Sequence, residues 1–115
     1  MKIKDKYHLE FFKSRKPIDN SIYNGCICKS TTTAHHGLDI LRNLYKEDCI
    51  DLKEDLVAAL NGTFTGNNEE WVGLGNEGGE KIFISSPNIT LRELITIPIT
   101  EMLQLLDEWM EFCGY

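Results

Sequence analysis

Pro98 constrains this chain more than any other single residue, because it separates a β-branched run from a strongly patterned helical one. Its fixed φ and missing N–H suit the first turn of a helix and interrupt a ladder of sheet hydrogen bonds. A strand must therefore stop here and a helix begin. Within Ile99 to Cys113, the residues Ile99, Leu103, Leu106, Met110 and Cys113 recur at alternating steps of four and three, which aligns them on one helical face. Glu101, Gln104, Glu108 and Glu111 fall on the other. Met102 and Trp109 flank the apolar stripe, with Leu105 and Phe112 further round, so the helix is expected to touch both a sheet and a neighbouring element. Gly114 fits the left-handed position that closes such a helix.

Upstream, Ile82 to Ser85 has strand length and lies between Gly78-Gly79 and the turn-forming Ser85-Ser86-Pro87-Asn88. Leu91 to Ile97 is rich in β-branched residues and reads as the second arm of a hairpin. Trp71 to Gly75 is expected to add a third strand, joined through Asn76-Glu77-Gly78-Gly79. An antiparallel meander would then lead into the final helix.

The first half reads as mainly helical. Tyr7, Leu9, Phe11 and Phe12 suit a short amphipathic helix begun near Asp5 about as well as an edge strand, with the helix preferred, Ser14 to Ser21 has loop chemistry, and Ile22 to Lys29 reads as extended. Leu38, Leu41 and Tyr45 share a helical face with Ile40 and Leu44 beside them, predicting a helix over Ala34 to Lys46. Asp51 with Glu54 has capping-box spacing and Asn61-Gly62 ends the pattern, predicting a second helix over Leu52 to Leu60 with Leu52, Leu56, Ala59 and Leu60 inward. The expected fold is thus α+β: a small antiparallel sheet of about three or more strands packed on a C-terminal helix, after a helical N-terminal half, in one domain over residues 1–115.

With 42% hydrophobic and 26% charged residues the chain belongs to the ordinary globular class. Met1 to Lys6 lacks the apolar core of a signal peptide and no hydrophobic run reaches membrane-spanning length, so the expectation is a soluble cytoplasmic protein with its four cysteines, Cys26, Cys28, Cys49 and Cys113, reduced. The net charge of −6 hides a division. Residues 1–30 hold seven Lys/Arg against three Asp/Glu, whereas residues 31–115 hold five against fifteen. An acidic body of this kind argues against nucleic-acid binding, which needs clustered Lys and Arg, and suits a basic protein partner. The acidic groups bunch twice: Asp48, Asp51, Glu54 and Asp55 around the start of the second helix, and Glu69, Glu70, Glu77 and Glu80 around turns. These eight are the candidate partner-binding residues.

Other motifs have ordinary explanations. Gly73-Leu74-Gly75-Asn76-Glu77-Gly78 matches a dinucleotide-binding pattern, yet a strand follows where a helix is needed and Glu77 would repel phosphate, which favours a glycine-rich turn. Cys26, Cys28, His35 and His36, with Cys49 nearby, could be drawn as ligands of a small metal- or ligand-binding domain, but their spacing fits no strong template. The same groups could be drawn as a Cys/His nucleophile pair oriented by Asp39, without local context for an activated thiolate. No metal, cofactor or catalytic set is expected. Asn61-Gly62-Thr63 and Asn88-Ile89-Thr90 fit the glycosylation acceptor pattern and read as turns, while Trp71 and Trp109 read as core.

The order EEWVGLG, EKIFISS and LITIPITEMLQLLDEWMEFC, over about residues 69–113, resembles small immunity proteins of bacterial polymorphic-toxin and contact-dependent growth-inhibition systems. Several such families end in a Trp-containing strand, two further strands, an Ile-Pro junction and a Leu- and Trp-rich helix. The resemblance implies a cytoplasmic antitoxin without chemistry of its own, which binds and occludes a cognate toxin domain, often a nuclease. It carries over no binding residue.

Overall fold

A computed structural model describes residues 2–13, 26–44, 46–64, 82–92 and 94–115. It is α+β, with a two-stranded and a three-stranded antiparallel sheet and a long C-terminal helix. The expected strand over Trp71 to Gly75 lies outside the described residues.

The beginning of the chain is not helical beyond a single turn. Helix α1 covers only Ile3–Lys6, and His8, at φ 56°, turns the chain into strand β1 over Leu9–Lys13. Leu9 is buried and Phe11 packs against the core, while Glu10 and Phe12 are exposed. The period in these residues is therefore two, and the apolar set that could be read as a helical face belongs to a strand. Strand β2, Cys26–Ser30, pairs with it antiparallel from Leu9 opposite Ser30 to Lys13 opposite Cys26, turning Cys26, Cys28 and Ser30 inward. The expected helical N-terminal half thus gives way to a sheet followed by two helical segments.

The first of those segments is a 3₁₀ helix over Thr33–Asn43, kinked at His35, and not the α-helix expected over Ala34 to Lys46. Leu38, Leu41 and Leu44 are all buried, and a spacing of three stacks side chains on one face when each turn holds three residues. Gly37 brings this segment against the sheet. A Cβ placed there would lie 2.8 Å from the carbonyl oxygen of Leu91 and 2.8 Å from Cγ2 of Ile95. Gly37→Ala is accordingly expected to destabilise the protein by about 1–3 kcal/mol through overpacking. A urea midpoint unchanged from wild type would show that the two segments do not approach this closely.

Helix α2 runs over Lys46–Leu60, starting six residues before the expected Leu52, so Asp51 and Glu54 are interior positions and not a cap. Cys49, Leu52, Leu56 and Ala59 face the core as its period requires, but Leu60 is exposed. The helix stops as expected at Gly62, φ 76°, where Thr63 N–H donates to the Ala58 carbonyl at 2.8 Å and Gly62 N–H to that of Ala59 at 3.2 Å. That pair of bonds satisfies carbonyls a helix end otherwise leaves open.

Strands β3 (Ile82–Ser85), β4 (Asn88–Leu91) and β5 (Ile95–Pro98) form the meander. The expected continuous arm over Leu91 to Ile97 is broken: Leu91 closes β4, Arg92 at φ 52° turns the chain, and Leu94 N–H donates to the Leu91 carbonyl at 2.9 Å. The middle strand is instead built on Asn88-Ile89-Thr90, which turn chemistry had assigned to a loop. Ile82, Ile84, Ile89, Leu91 and Ile97 supply the core face, and on the other face the hydroxyls of Thr90 and Thr96 meet at 2.8 Å across their register pair.

Helix α3 covers Ile99–Cys113, with Pro98 extended before it and Gly114 at φ 78° after it. Tyr115 N–H reaches the Met110 carbonyl at 2.9 Å and Gly114 N–H that of Glu111 at 3.2 Å, repeating the glycine stop of α2. The buried face is Ile99, Met102, Leu105, Leu106 and Trp109, whereas Leu103, Met110 and Cys113 from the expected stripe are only half-buried. The helix is rolled so that its largest side chain is central. Trp109 is wholly buried, edge-on to Phe11 with ring centroids 5.1 Å apart, and its indole N–H points to the Leu44 carbonyl at 3.5 Å.

Candidate functional site

The acidic groups of α2 divide by the face they occupy. Asp51 and Glu54 are exposed, Asp55 is half-buried, and Glu47, which the sequence clusters omitted, is exposed beside them. Asp48 is only 4% exposed, so it does not belong to the surface set proposed from sequence. The cause is the earlier helix start, which turns Asp48 inward with Cys49. Glu69, Glu70, Glu77 and Glu80 lie outside the described residues.

Next to these carboxylates runs a mainly apolar groove of about 530 Å³, lined by Ile50, Val57 and Ala58 of α2 and Met110 of α3 together with the polar Lys53, Glu54, Asn61 and Thr63. Ile50 and Val57 are 38% and 45% exposed, a large apolar area for a helix whose other face already fills the core. An ion pair between Lys53 and Asp107 ties α2 to α3 alongside the groove. Sequence reading missed this surface because it assigned α2 a single apolar face. The signal was present in Ile50 and Val57, seven residues apart and out of phase with Leu52, Leu56 and Ala59.

The carboxylates of α3 are differently employed. Glu108 accepts the backbone N–H of Ile3 at 2.8 Å and of Lys4 at 2.9 Å, supplying acceptors to donors that the first turn of α1 leaves open. Glu101 accepts from the Tyr7 hydroxyl and the Lys6 ammonium. Hydrogen bonds from Lys6 and then from Tyr7 hold the Glu101 carboxyl below its ordinary range, while burial and the Glu101 contact push the Tyr7 phenol up. Two residues of the polar face of this helix, Glu101 and Glu108, thus clamp the start of the chain, while Gln104 and Glu111 are exposed. Because the Glu101 carboxyl is depressed in the folded state, its stabilisation is complete above the unfolded glutamate pKa of about 4.3 and disappears as pH falls through the folded value. Glu101→Gln is therefore expected to destabilise the protein at neutral pH and to approach wild type in acid. A stability difference independent of pH would contradict the clamp.

Among the described residues the cysteine and histidine candidates do not assemble into one metal centre. Cys26 and Cys28 are buried on β2, with the Cys28 thiol donating to the Leu38 carbonyl at 3.7 Å. His35 lies elsewhere, its Nδ1 3.0 Å from the Thr32 hydroxyl and its ring stacked on His8 and edge-on to Tyr7. The side chain of His36 is outside the described set. Among the described residues no three His, Cys, Asp or Glu side chains converge as metal ligands. Burial, then the nearby Asp39 carboxylate, pushes the Cys28 thiol up to about 12, and burial, then Asp48, does the same at Cys49. A nucleophilic cysteine requires the opposite shift. Asp39, drawn from sequence as an orienter, instead accepts the Ser30 backbone N–H at 2.6 Å and pins β2 to the 3₁₀ helix.

No described helix is long and apolar enough to cross a membrane. Comparison with family models, curated proteins and solved structures gives no match for this chain.

Proposed function

We propose that this domain is an immunity protein that binds a cognate basic toxin domain and blocks it by occlusion. The observation that carries this reading is the accumulation of acid after residue 30, fifteen Asp/Glu against five Lys/Arg, together with exposed carboxylates on α2 at Glu47, Asp51 and Glu54. Nuclease toxins are basic where they meet phosphate, and an inhibitor of opposite charge gains association rate and excludes the substrate from the same surface. The C-terminal pattern of strands, Ile-Pro junction and Trp-containing helix supports the same reading by resemblance. Glu69, Glu70, Glu77 and Glu80 are the further candidate contacts for the same basic partner.

The test is association kinetics with the purified, catalytically inactivated product of the adjacent upstream gene. Association should slow steeply with added salt while dissociation changes less. Asp51→Lys with Glu54→Lys, and separately Glu69→Lys with Glu70→Lys, should each slow association about tenfold or more at low salt. Rates insensitive to salt and to both reversals would remove the acidic surfaces from the interface.

A further inference from the structure

We propose that the groove between α2 and α3 is the anchoring pocket of the partner interface, taking an apolar side chain that the partner presents between basic residues. The inference rests on the reading of the protein as a binder of a basic protein, and it adds the contact that holds the complex once charge has brought it together. On α2, the residues Ile50, Glu54, Val57 and Ala58 follow one another at helical spacings of four, three and one, so a single face carries both an apolar floor and a carboxylate. Glu47 and Asp51 stand on adjoining turns, three residues before Ile50 and three before Glu54. Lys53, the cation at the groove, is already engaged by Asp107. Among the described residues, Lys46, one turn before Ile50, is outnumbered by the exposed carboxylates Glu47, Asp51 and Glu54, so the balance of charge around the floor is negative, and the ligand that satisfies floor and rim together is an amphipathic segment with apolar residues on one side and Lys or Arg flanking them.

The same charges argue against a second copy as the occupant. A two-fold contact through the groove would set its rim, with the exposed Glu47, Asp51 and Glu54, against the same acidic patch of another chain of net charge −6. Interface energy concentrates in pockets of this kind, with charged residues around them setting the partner's orientation and approach.

The probe is a helical amphipathic peptide of Leu and Lys, measured by fluorescence titration and by mapping amide shifts on the full chain. Two control peptides replace Lys with Glu, or Leu with Ser. The Leu/Lys peptide should bind and shift the amides of Ile50, Val57 and Met110, while the Leu/Glu peptide should not bind. The Ser/Lys peptide should bind at least about tenfold more weakly, as expected for loss of a buried anchor. Val57→Asp, and independently Ile50→Ser, should weaken the Leu/Lys peptide by a similar factor, whereas Leu94→Asp, at a 62% exposed apolar residue remote in sequence, should not. Equal binding of the Leu/Lys and Ser/Lys peptides would overturn the anchor and leave the charge-based reading standing. Equal binding of Leu/Lys and Leu/Glu would overturn the choice of a basic occupant. Concentration-dependent dimerisation abolished by Val57→Asp would make the second copy the occupant, and marked destabilisation of the free protein by that variant would mean the chain itself fills the groove; either result overturns the proposal.

Discussion

Trp109→Ala is expected to cost about 3–5 kcal/mol, the range for removing a large aromatic side chain from a core. Trp109 is wholly buried, meets Phe11 of β1 and Phe112 of its own helix, and directs its N–H to Leu44 at the end of the 3₁₀ helix. Its removal opens a void and deprives three elements of a shared partner, leaving the Leu44 carbonyl without that donor. Losses of this size can consume much of the stability of a small domain, so the variant should unfold at markedly lower denaturant and protect the amides of β1 poorly against hydrogen exchange. Trp109→Phe retains part of the ring contact and should recover a substantial share. A midpoint for Trp109→Ala close to wild type would mean that β1 and the 3₁₀ helix do not meet on this residue.

Leu105→Ala and Leu106→Ala should each cost about 2–5 kcal/mol, as for a buried leucine. Both side chains are fully buried, while Leu103 is half-buried, so Leu103→Ala should cost clearly less. The comparison distinguishes the face α3 actually buries from the narrower stripe inferred through Ile99, Leu103, Leu106, Met110 and Cys113. On that stripe Leu103 would outrank Leu105. A loss below about 0.5 kcal/mol at Leu106 would place even the shared member of the two faces in solvent.

The same residues separate what local backbone chemistry dictates from what only packing decides. Pro98, the helix after it and the glycine stops at Gly62 and Gly114 were legible because they depend on backbone restrictions that act locally. The roll of α3 was not, since an apolar arc that also takes in Met102, Leu105, Trp109 and Phe112 tolerates rotation until tertiary contacts place Trp109. The split of Leu91 to Ile97 was hidden because Arg92 adopts a left-handed backbone without the usual Gly or Asn. Residues 7–12 could satisfy either period over so short a span, and pairing with β2 decided for the strand.

At the candidate site, composition exposed the acidic character but not its division between surface and interior. Asp51 and Glu54 reach solvent, Asp48 is buried by an earlier helix start, and Glu101 and Glu108 are committed to the first turn of the chain. The groove at Ile50 and Val57 was invisible to a reading that gave each helix one apolar face.

The proposed function requires this domain to neutralise a toxin by covering it. The most direct measurement is to mix the purified domain with the active product of the adjacent upstream gene, assay its activity, and pass the mixture over a sizing column. The account predicts loss of toxin activity at a fixed stoichiometric ratio and co-elution as one complex, both weakened by Asp51→Lys with Glu54→Lys. Full toxin activity in the presence of excess domain, with the two proteins eluting separately, would contradict it.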